Sequence, residues 1–280
     1  MSAVRLTTRR IEKIWGRRQL GFGFPAVPPE GEPVGEIWFE TPGEAAPELL
    51  VKYLFTSAKL SVQVHPDDAQ ARARGHGRGK EECWLILDAE PDAAIGIGLA
   101  EPMDAAALRA AALDGSIEQR LDWKPVSAGD VYYLPAGTIH AIGADVTLLE
   151  VQQNIDLTYR LYDYGRPRAL HLDDAVAVAR PAPWTAPDAP GDIAPGRTVL
   201  AAGRKFALER WTGDRSDALE IPLARPLWLI PLDGAGTIAS EPLEPGGVWL
   251  ADGSAELRYS GTILAAYPGG EIAEDLLTAA

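Results

Sequence analysis

The sequence predicts a mainly β protein with a few helices, arranged as two β-barrel domains. Three observations carry this. Glycine (28) and proline (23) punctuate the 280 residues into short runs of strand-forming side chains. Short runs at close spacing are the texture of β-sandwiches and barrels. The texture occurs on both sides of a Pro/Ala-rich stretch at 181–197, and at roughly 150 residues per domain the length also suggests two domains.

Before that stretch, strands are expected at 35–40, 49–55, 60–65, 83–87, 94–98, 131–134 and 146–152. Residues 102–113 (PMDAAALRAAAL) read as a helix, with Pro102 near its start and Gly115 just beyond it. Residues 172–178 (LDDAVAV) read as a shorter helix. Further strands are expected at 205–211, 226–232, 247–251, 255–259 and 262–267. The expected division is a first domain over 1–180, a Pro-rich linker over 181–197 and a second domain over 198–280. A short echo joins the two: AGDVYYLPAG at 128–137 aligns without gaps on EPGGVWLADG at 244–253, with Gly137 over Gly253.

Composition narrows the function. Hydrophobic residues are 46% and charged residues 24%, which excludes wholesale disorder. No apolar run approaches the ~20 residues of a membrane span, and the N-terminus (MSAVRLTTRRIEKIWG) has no apolar signal core. A single cysteine, Cys83, excludes a disulfide framework and a cysteine-based zinc site, and in a strand it reads as packing. These features point to the cytoplasm. A net charge of −14 argues against nucleic acid and against anionic membrane. An anionic small substrate stays open, since it needs only a local cluster of Arg and Lys.

The chemistry-bearing residues fall in four places. In Leu60-Ser-Val-Gln-Val-His65, period-two geometry puts Ser61, Gln63 and His65 on one face. Taken alone, this is an ordinary half-exposed strand. In Gly79-Lys-Glu-Glu-Cys-Trp84, a glycine-flanked loop enters an apolar strand with Lys80 and Glu82 on one face. The strongest pattern is Gly129-x5-Pro135-x-Gly137-x2-His140: a strand, a Pro/Gly turn, then an inward histidine, which is the spacing of the second cupin motif. Gln63, His65, Glu82 and His140 together make a mixed nitrogen and oxygen set that suits a borderline divalent ion, zinc by default.

With Glu150-Val-Gln-Gln-Asn-x-Asp156-x-Thr-Tyr-Arg160-x-Tyr-Asp163, these blocks occur in order, and the set resembles the short bacterial type I mannose-6-phosphate isomerases. The match covers nearly all of the first domain. It implies two cupin (jelly-roll β-barrel) domains and a zinc-dependent aldose–ketose isomerase acting on a phosphorylated hexose, as a monomer or homodimer. By matched position it implies Gln63, His65, Glu82 and His140 as zinc ligands, Lys80, Asp156 and Arg160 as the active-site lysine, acid and arginine, and Ser61 as a substrate contact. The family's N-terminal Trp-Gly-Gly is here Trp15-Gly-Arg17, and its longer forms' helical insert has no room in 280 residues.

An aldose–ketose exchange moves a proton between C1 and C2 through an enediol(ate), so it needs a base and positive charge near the developing oxyanion. Lys80, Asp156 and Arg160 are the candidates, with Arg160 better suited to clamping an anion than to serving as base. The basic loop 72–80 ends at the same place. One ion per chain is expected, in the first domain, because the echo puts Glu256 over His140 and no histidine follows His171. Two other classes stay open: a non-enzymatic sugar-binding or regulatory module, and an iron oxygenase, which would more often use two histidines and a carboxylate without the amide.

Overall fold

The structure, a computed structural model, describes residues 2–43, 46–187, 189–222 and 224–279. Among the described residues it is mainly β, with three sheets of six, five and eight strands and four short α-helices. The sheets are open, each running edge to edge, where the sequence suggested closed barrels.

The six-stranded sheet runs in the order Thr7–Arg17, Val34–Glu40, Leu49–Phe55, Val146–Gln153, Glu82–Ala89, Val131–Leu134. The five-stranded sheet runs Tyr159–Tyr162, Val62–Val64, His140–Ile142, Ala94–Leu99, Leu121–Pro125. A shared core containing Leu54, Trp84, Ile86, Ile95, Ile97, Ile142 and Leu148 joins them face to face. Since side chains alternate along a strand, each strand of the six-stranded sheet serves two environments. Phe39, Val51, Tyr53, Phe55, Leu85, Leu149 and Val151 point to its back, where they pack with Phe206, Leu208, Trp228, Ile230, Val248 and Leu264. Each such fully buried side chain stabilises the fold by about 1.5–3 kcal/mol. Cys83 belongs to this back core, and burial pushes its thiol pKa up, consistent with packing.

The eight-stranded sheet is built from residues after Gly191, together with the first strand, Ser2–Arg5, which pairs with the 249–252 region. The runs expected at 247–251, 255–259 and 262–267 join into one strand, Trp249–Pro268. Gly253 and Gly261 take positive φ (68° and 134°), so they bend that strand without interrupting its pairing with Phe206–Ile221. In the Pro/Ala-rich stretch, where Asp188 lies outside the described residues, Pro183 bridges Gly98 and the Trp184 indole donates to the Tyr133 carbonyl at 3.2 Å.

The helices sit where capping chemistry puts them. Asp67 caps Asp68–Arg72 in a reciprocal box with Gln70 (2.8 and 3.0 Å). Asp104 caps Ala105–Asp114, which ends at Gly115 in the left-handed region. Helices Ile117–Arg120 and Leu172–Val178 complete the set, and no helix among the described residues is long and apolar enough to cross a membrane.

Candidate active site

Cross-strand pairing assembles the site between the two facing sheets. In antiparallel sheets, directly opposed residues point to the same face. In the six-stranded sheet Trp38 opposes Lys52, Lys52 opposes Glu150, and Glu150 opposes Trp84. In the five-stranded sheet Arg160 opposes Gln63 and Gln63 opposes His140. These two rows of side chains face each other across a narrow cleft with an enclosed volume of about 70 Å³ that opens to solvent. Ser61, Gln63, Lys80, Asp156 and Arg160 line it, together with Trp15, Glu36, Lys52, Glu150 and Arg168.

His65, Glu82 and His140 lie buried beneath the cleft, at 2%, 1% and 1% exposure, with their potential ligand atoms all within 4.8 Å of one another. Two close approaches deliver them. Gly79 rests on the Pro66–Asp68 backbone, where a Cβ would come 2.4 Å from the Asp67 carbonyl carbon, and the Lys80 N–H donates to the Pro66 carbonyl at 3.0 Å. Gly137, at φ 86°, donates its N–H to the His65 carbonyl at 2.8 Å, tying the turn before His140 to the strand that carries His65.

The geometry fits a divalent cation. The Nδ1 atoms of His65 and His140 are paired with the carbonyls of Leu157 (2.8 Å) and Thr138 (2.9 Å). A carbonyl can only accept, so each ring carries its proton on Nδ1 and turns an Nε2 lone pair toward Glu82, at 3.5 and 3.1 Å. Both Glu82 oxygens are buried without a hydrogen bond, although the Lys80 ammonium stands 2.7 Å from one of them. Buried acceptors left open in this way, facing two imidazole lone pairs, make a donor set that could hold a cation. The Gln63 amide lies 3.2 Å from His140 Nε2, where its oxygen, after a swap of the two amide ends, would join the set.

The charges are tightly linked. Burial raises the Glu82 carboxyl pKa, but Lys80, His65 and His140 outweigh it and hold the group well below its ordinary range. Burial, helped by Lys80, lowers His65 to about 3, and burial also lowers His140. Lys80 is opposed by burial but ends raised through Glu150 and Glu82. Imidazoles kept neutral beside an ionised carboxylate are in the form that binds a metal.

Some residues escaped the sequence reading. Glu150 was part of a quoted block without a role; it contacts Lys52 (3.1 Å), Lys80 (3.8 Å) and the Trp84 indole N–H (3.0 Å). Lys52 was signalled by being the one charge in the otherwise apolar run Leu49–Phe55. The loop 72–80 brings only Lys80 to the cleft: Arg74 pairs with Asp174 at 2.9 Å, and Arg78 donates to the Glu48 carbonyl at 3.0 Å. The other cations on the cleft are Lys52, Arg160 and Arg168. Asp163 pairs with Arg166 and Arg168, so Arg160 keeps a buried Nε with no partner. Trp15 lines the cleft, while its neighbour Arg17 turns away to the Thr56 carbonyl at 2.8 Å.

No protein-family model matches the chain. Pairwise comparison finds the mannose-6-phosphate isomerase of Streptococcus mutans, 33% identical over 217 residues, which span 63% of this chain and 68% of that one. Mannose-6-phosphate isomerase ManA of Bacillus subtilis is 42% identical over 137 residues, 46% of this chain and 43% of that one. Among solved structures, a mannose 6-phosphate isomerase from Bacillus subtilis superposes with a TM-score of 0.79 at 28% identity, covering 95% of this chain and 99% of that one. A putative mannosephosphate isomerase from Archaeoglobus fulgidus shares the fold, with a TM-score of 0.70 at 18% identity, over 95% of this chain and 97% of that one.

Proposed function

Since the chain belongs to the mannose-6-phosphate isomerase family, we propose that it interconverts mannose 6-phosphate and fructose 6-phosphate as a zinc-dependent isomerase. One observation supports this: a buried His65–Glu82–His140 set that could hold a cation lies beside a cleft whose lining includes Lys80, Arg160 and Arg168. The cleft carries four cationic side chains, Lys52, Lys80, Arg160 and Arg168, against three carboxylates, Glu36, Glu150 and Asp156, and a positive local balance on a protein of net charge −14 suits a phosphorylated sugar better than a neutral one.

His65, Glu82, His140 and Gln63 would hold the ion, which when bound supplies positive charge that stabilises a developing sugar oxyanion. The remaining chemistry belongs to side chains of this chain. One proton leaves C2 and returns to C1, while another passes between the two oxygens through an enediol(ate), so no external oxidant or reductant is needed. Glu36, Glu150 and Asp156 are the cleft carboxylates that can accept the carbon-bound proton. Lys80 places an ammonium beside the cation-binding set, where it can donate to a sugar oxygen. Arg160 stays protonated and clamps an anionic oxygen. Trp15, Leu54, Leu60 and Ile142 form an apolar wall that limits water around the reacting carbons.

The test is turnover. Protein stripped by chelator and reloaded with zinc is assayed for fructose 6-phosphate formation from mannose 6-phosphate, with free mannose as the comparison. Activity restored by zinc and strongly favouring the phosphate ester is expected. A folded, zinc-loaded protein without turnover would leave a non-enzymatic sugar-binding module, and equal efficiency on free mannose would remove the phosphate from the argument.

A further inference from the structure

We propose that Gln153 is a positioning residue for Lys80: its side-chain amide, braced by Asp68 and through it by Lys205, fixes the backbone that sets the Lys80 ammonium beside Glu82. The proposal rests on the isomerase reading above, in which Lys80 donates to a sugar oxygen. It concerns three side chains to which that reading gives no part.

Lys80 lies two residues before strand Glu82–Ala89, so no ladder of the sheet holds it. Glu82, by contrast, is paired opposite Leu134 and Gln152. Lysine carries its charge on a flexible stem, so the ammonium is placed only as well as the backbone beneath it. Three successive backbone N–H groups of this segment are taken up by fixed acceptors. Gly79 donates to Asp68 Oδ1 at 2.8 Å, Lys80 to the Pro66 carbonyl at 3.0 Å, and Glu81 to Gln153 Oε1 at 3.0 Å. The Gln153 N–H returns to the Glu81 carbonyl at 3.0 Å, so Gln153 grips both backbone polar groups of Glu81. Its own Nε2 donates to Asp68 Oδ1 at 3.1 Å, and Asp68 Oδ2 takes the Lys205 ammonium at 2.7 Å. Gly79 and Glu81, the two neighbours of Lys80, are therefore tied to one another through Asp68 and Gln153.

This arrangement calls for an amide. One side chain must accept from Glu81 and donate to a carboxylate at the same time. Glutamine does both, glutamate only accepts, and methionine of similar size does neither. Gln153 is buried with both amide ends partnered. Lys205 stands just before strand Phe206–Ile221, so a residue of the C-terminal part reaches the Lys80 segment through two polar contacts. Gln153, Asp68 and Lys205 do not line the cleft, and any effect they have on the reaction passes through Lys80.

The experiment uses full-length, zinc-loaded protein and the variants Gln153→Met, Gln153→Glu, Lys205→Met, Lys80→Ala and the double variant Gln153→Met with Lys80→Ala. Zinc content, kcat and KM for mannose 6-phosphate are measured. Two readouts do not depend on turnover: hydrogen exchange over residues 79–81 and acylation of Lys80 by acetic anhydride, both followed by mass spectrometry. Gln153→Met should lower kcat about 10- to 100-fold, the scale of loss from misplacing a reacting group by about 1 Å, with KM and zinc content within a few fold of wild type. Gln153→Glu should lose as much, since it sets a second carboxylate against Asp68, and Lys205→Met should lose less. In the Lys80→Ala background, Gln153→Met should change kcat by less than about twofold, because the group it places is gone. Exchange over 79–81 and acylation of Lys80 should both speed up in the two Gln153 variants. Wild-type kcat in Gln153→Met overturns the proposal, as do losses that add in the double variant or activity lost together with zinc. Where Gln153→Met does not fold, or Lys80→Ala is too slow to read, Lys80 acylation in Gln153→Glu decides, and an unchanged rate overturns the proposal. If the wild type does not isomerise mannose 6-phosphate, the functional reading falls, and acylation and exchange still decide whether Gln153 positions Lys80.

Discussion

Replacing Lys52 with methionine tests how the charged face of the six-stranded sheet is held. Lys52 is 4% exposed; its ammonium lies 3.1 Å from Glu150 Oε1, 3.9 Å from Glu36 Oε2 and 4.5 Å from the centroid of the Trp38 ring. Methionine keeps most of the aliphatic stem, so packing changes little, but two buried carboxylates lose their shared cation. Removing one member of a buried ion set costs about 3–5 kcal/mol. Here Lys80 remains 3.8 Å from Glu150 and Lys13 remains 3.3 Å from Glu36, which places the loss near the lower end, about 3 kcal/mol. The pH dependence has a definite sign. In the wild type, burial raises the Glu36 pKa, but Lys52 and Lys13 outweigh it and the group ends lowered. Its contribution is present above the ordinary carboxylate pKa and fades as pH falls through the depressed value. Without Lys52 the largest of the causes that lower it is gone, while Lys13 and the Trp38 indole remain, so the folded pKa moves up toward the ordinary value. Less of the depressed-carboxylate stabilisation is then left to the variant above the ordinary carboxylate pKa. The stability gap measured by urea unfolding, with chelator present throughout, should therefore be largest near neutral pH and shrink as pH falls through the ordinary carboxylate range toward the depressed value. A loss below about 1 kcal/mol, or a gap that widens toward acid, refutes the reasoning. Adding Glu150→Gln should recover part of the loss, because it removes an uncompensated charge while keeping an acceptor for the Trp84 indole.

Other predictions follow from single contacts. His140→Ala should lose metal and activity together, since it removes one of two imidazoles from the buried set; metal analysis at native affinity would show the ligand assignment to be wrong. Asp67→Ala should cost about 1 kcal/mol by breaking the capping box with Gln70 while leaving KM near wild type, and a large loss of turnover in the folded variant would place Asp67 in the site. Asp68 is raised by burial but more strongly lowered by Lys205, the Gly79 N–H and Gln153, reaching about 2. The ion pair with Lys205 (2.7 Å) thus stabilises the fold above about pH 4 and is lost as pH falls toward about 2, by no more than about 1–2 kcal/mol because both groups are partly exposed. Melting curves of wild type and Lys205→Met should converge over that range, and parallel curves would count against the pair.

Several elements were legible to the residue. Leu49–Phe55, Val131–Leu134 and Leu172–Val178 fall where the sequence placed them, because continuous apolar or Ala/Val-rich runs end abruptly. Thr7–Arg17 was invisible: its charged, mostly exposed side chains carry no alternation, and its pairing with Val34–Glu40 is a tertiary fact. Positive-φ glycines read as breaks where they are bends, as at Gly253 and Gly261. The candidate ligands were legible because a strand period and a Pro/Gly turn mark them locally. Lys52 was marked only as a lone charge in an apolar run, and Glu36 and Arg168 were not marked at all, because each enters the site through a partner distant in sequence or through a turn whose geometry the residue types do not announce.

The two faces of the six-stranded sheet divide labour along the chain. Every side chain that lines the cleft lies at or before Arg168, whereas Phe206, Leu208, Trp228, Ile230, Val248 and Leu264 supply much of the apolar mass behind it. The C-terminal residues therefore offset the unfavourable desolvation of Lys52, Glu82 and Glu150 without lining the cleft themselves. Selection on them acts through volume and hydrophobicity, which many side-chain combinations can satisfy, whereas the cleft face depends on particular donors and acceptors. Substitutions that keep volume and hydrophobicity should thus be tolerated in the last third of the chain and not at the cleft residues of the first two thirds, even though the two share a single packed interior.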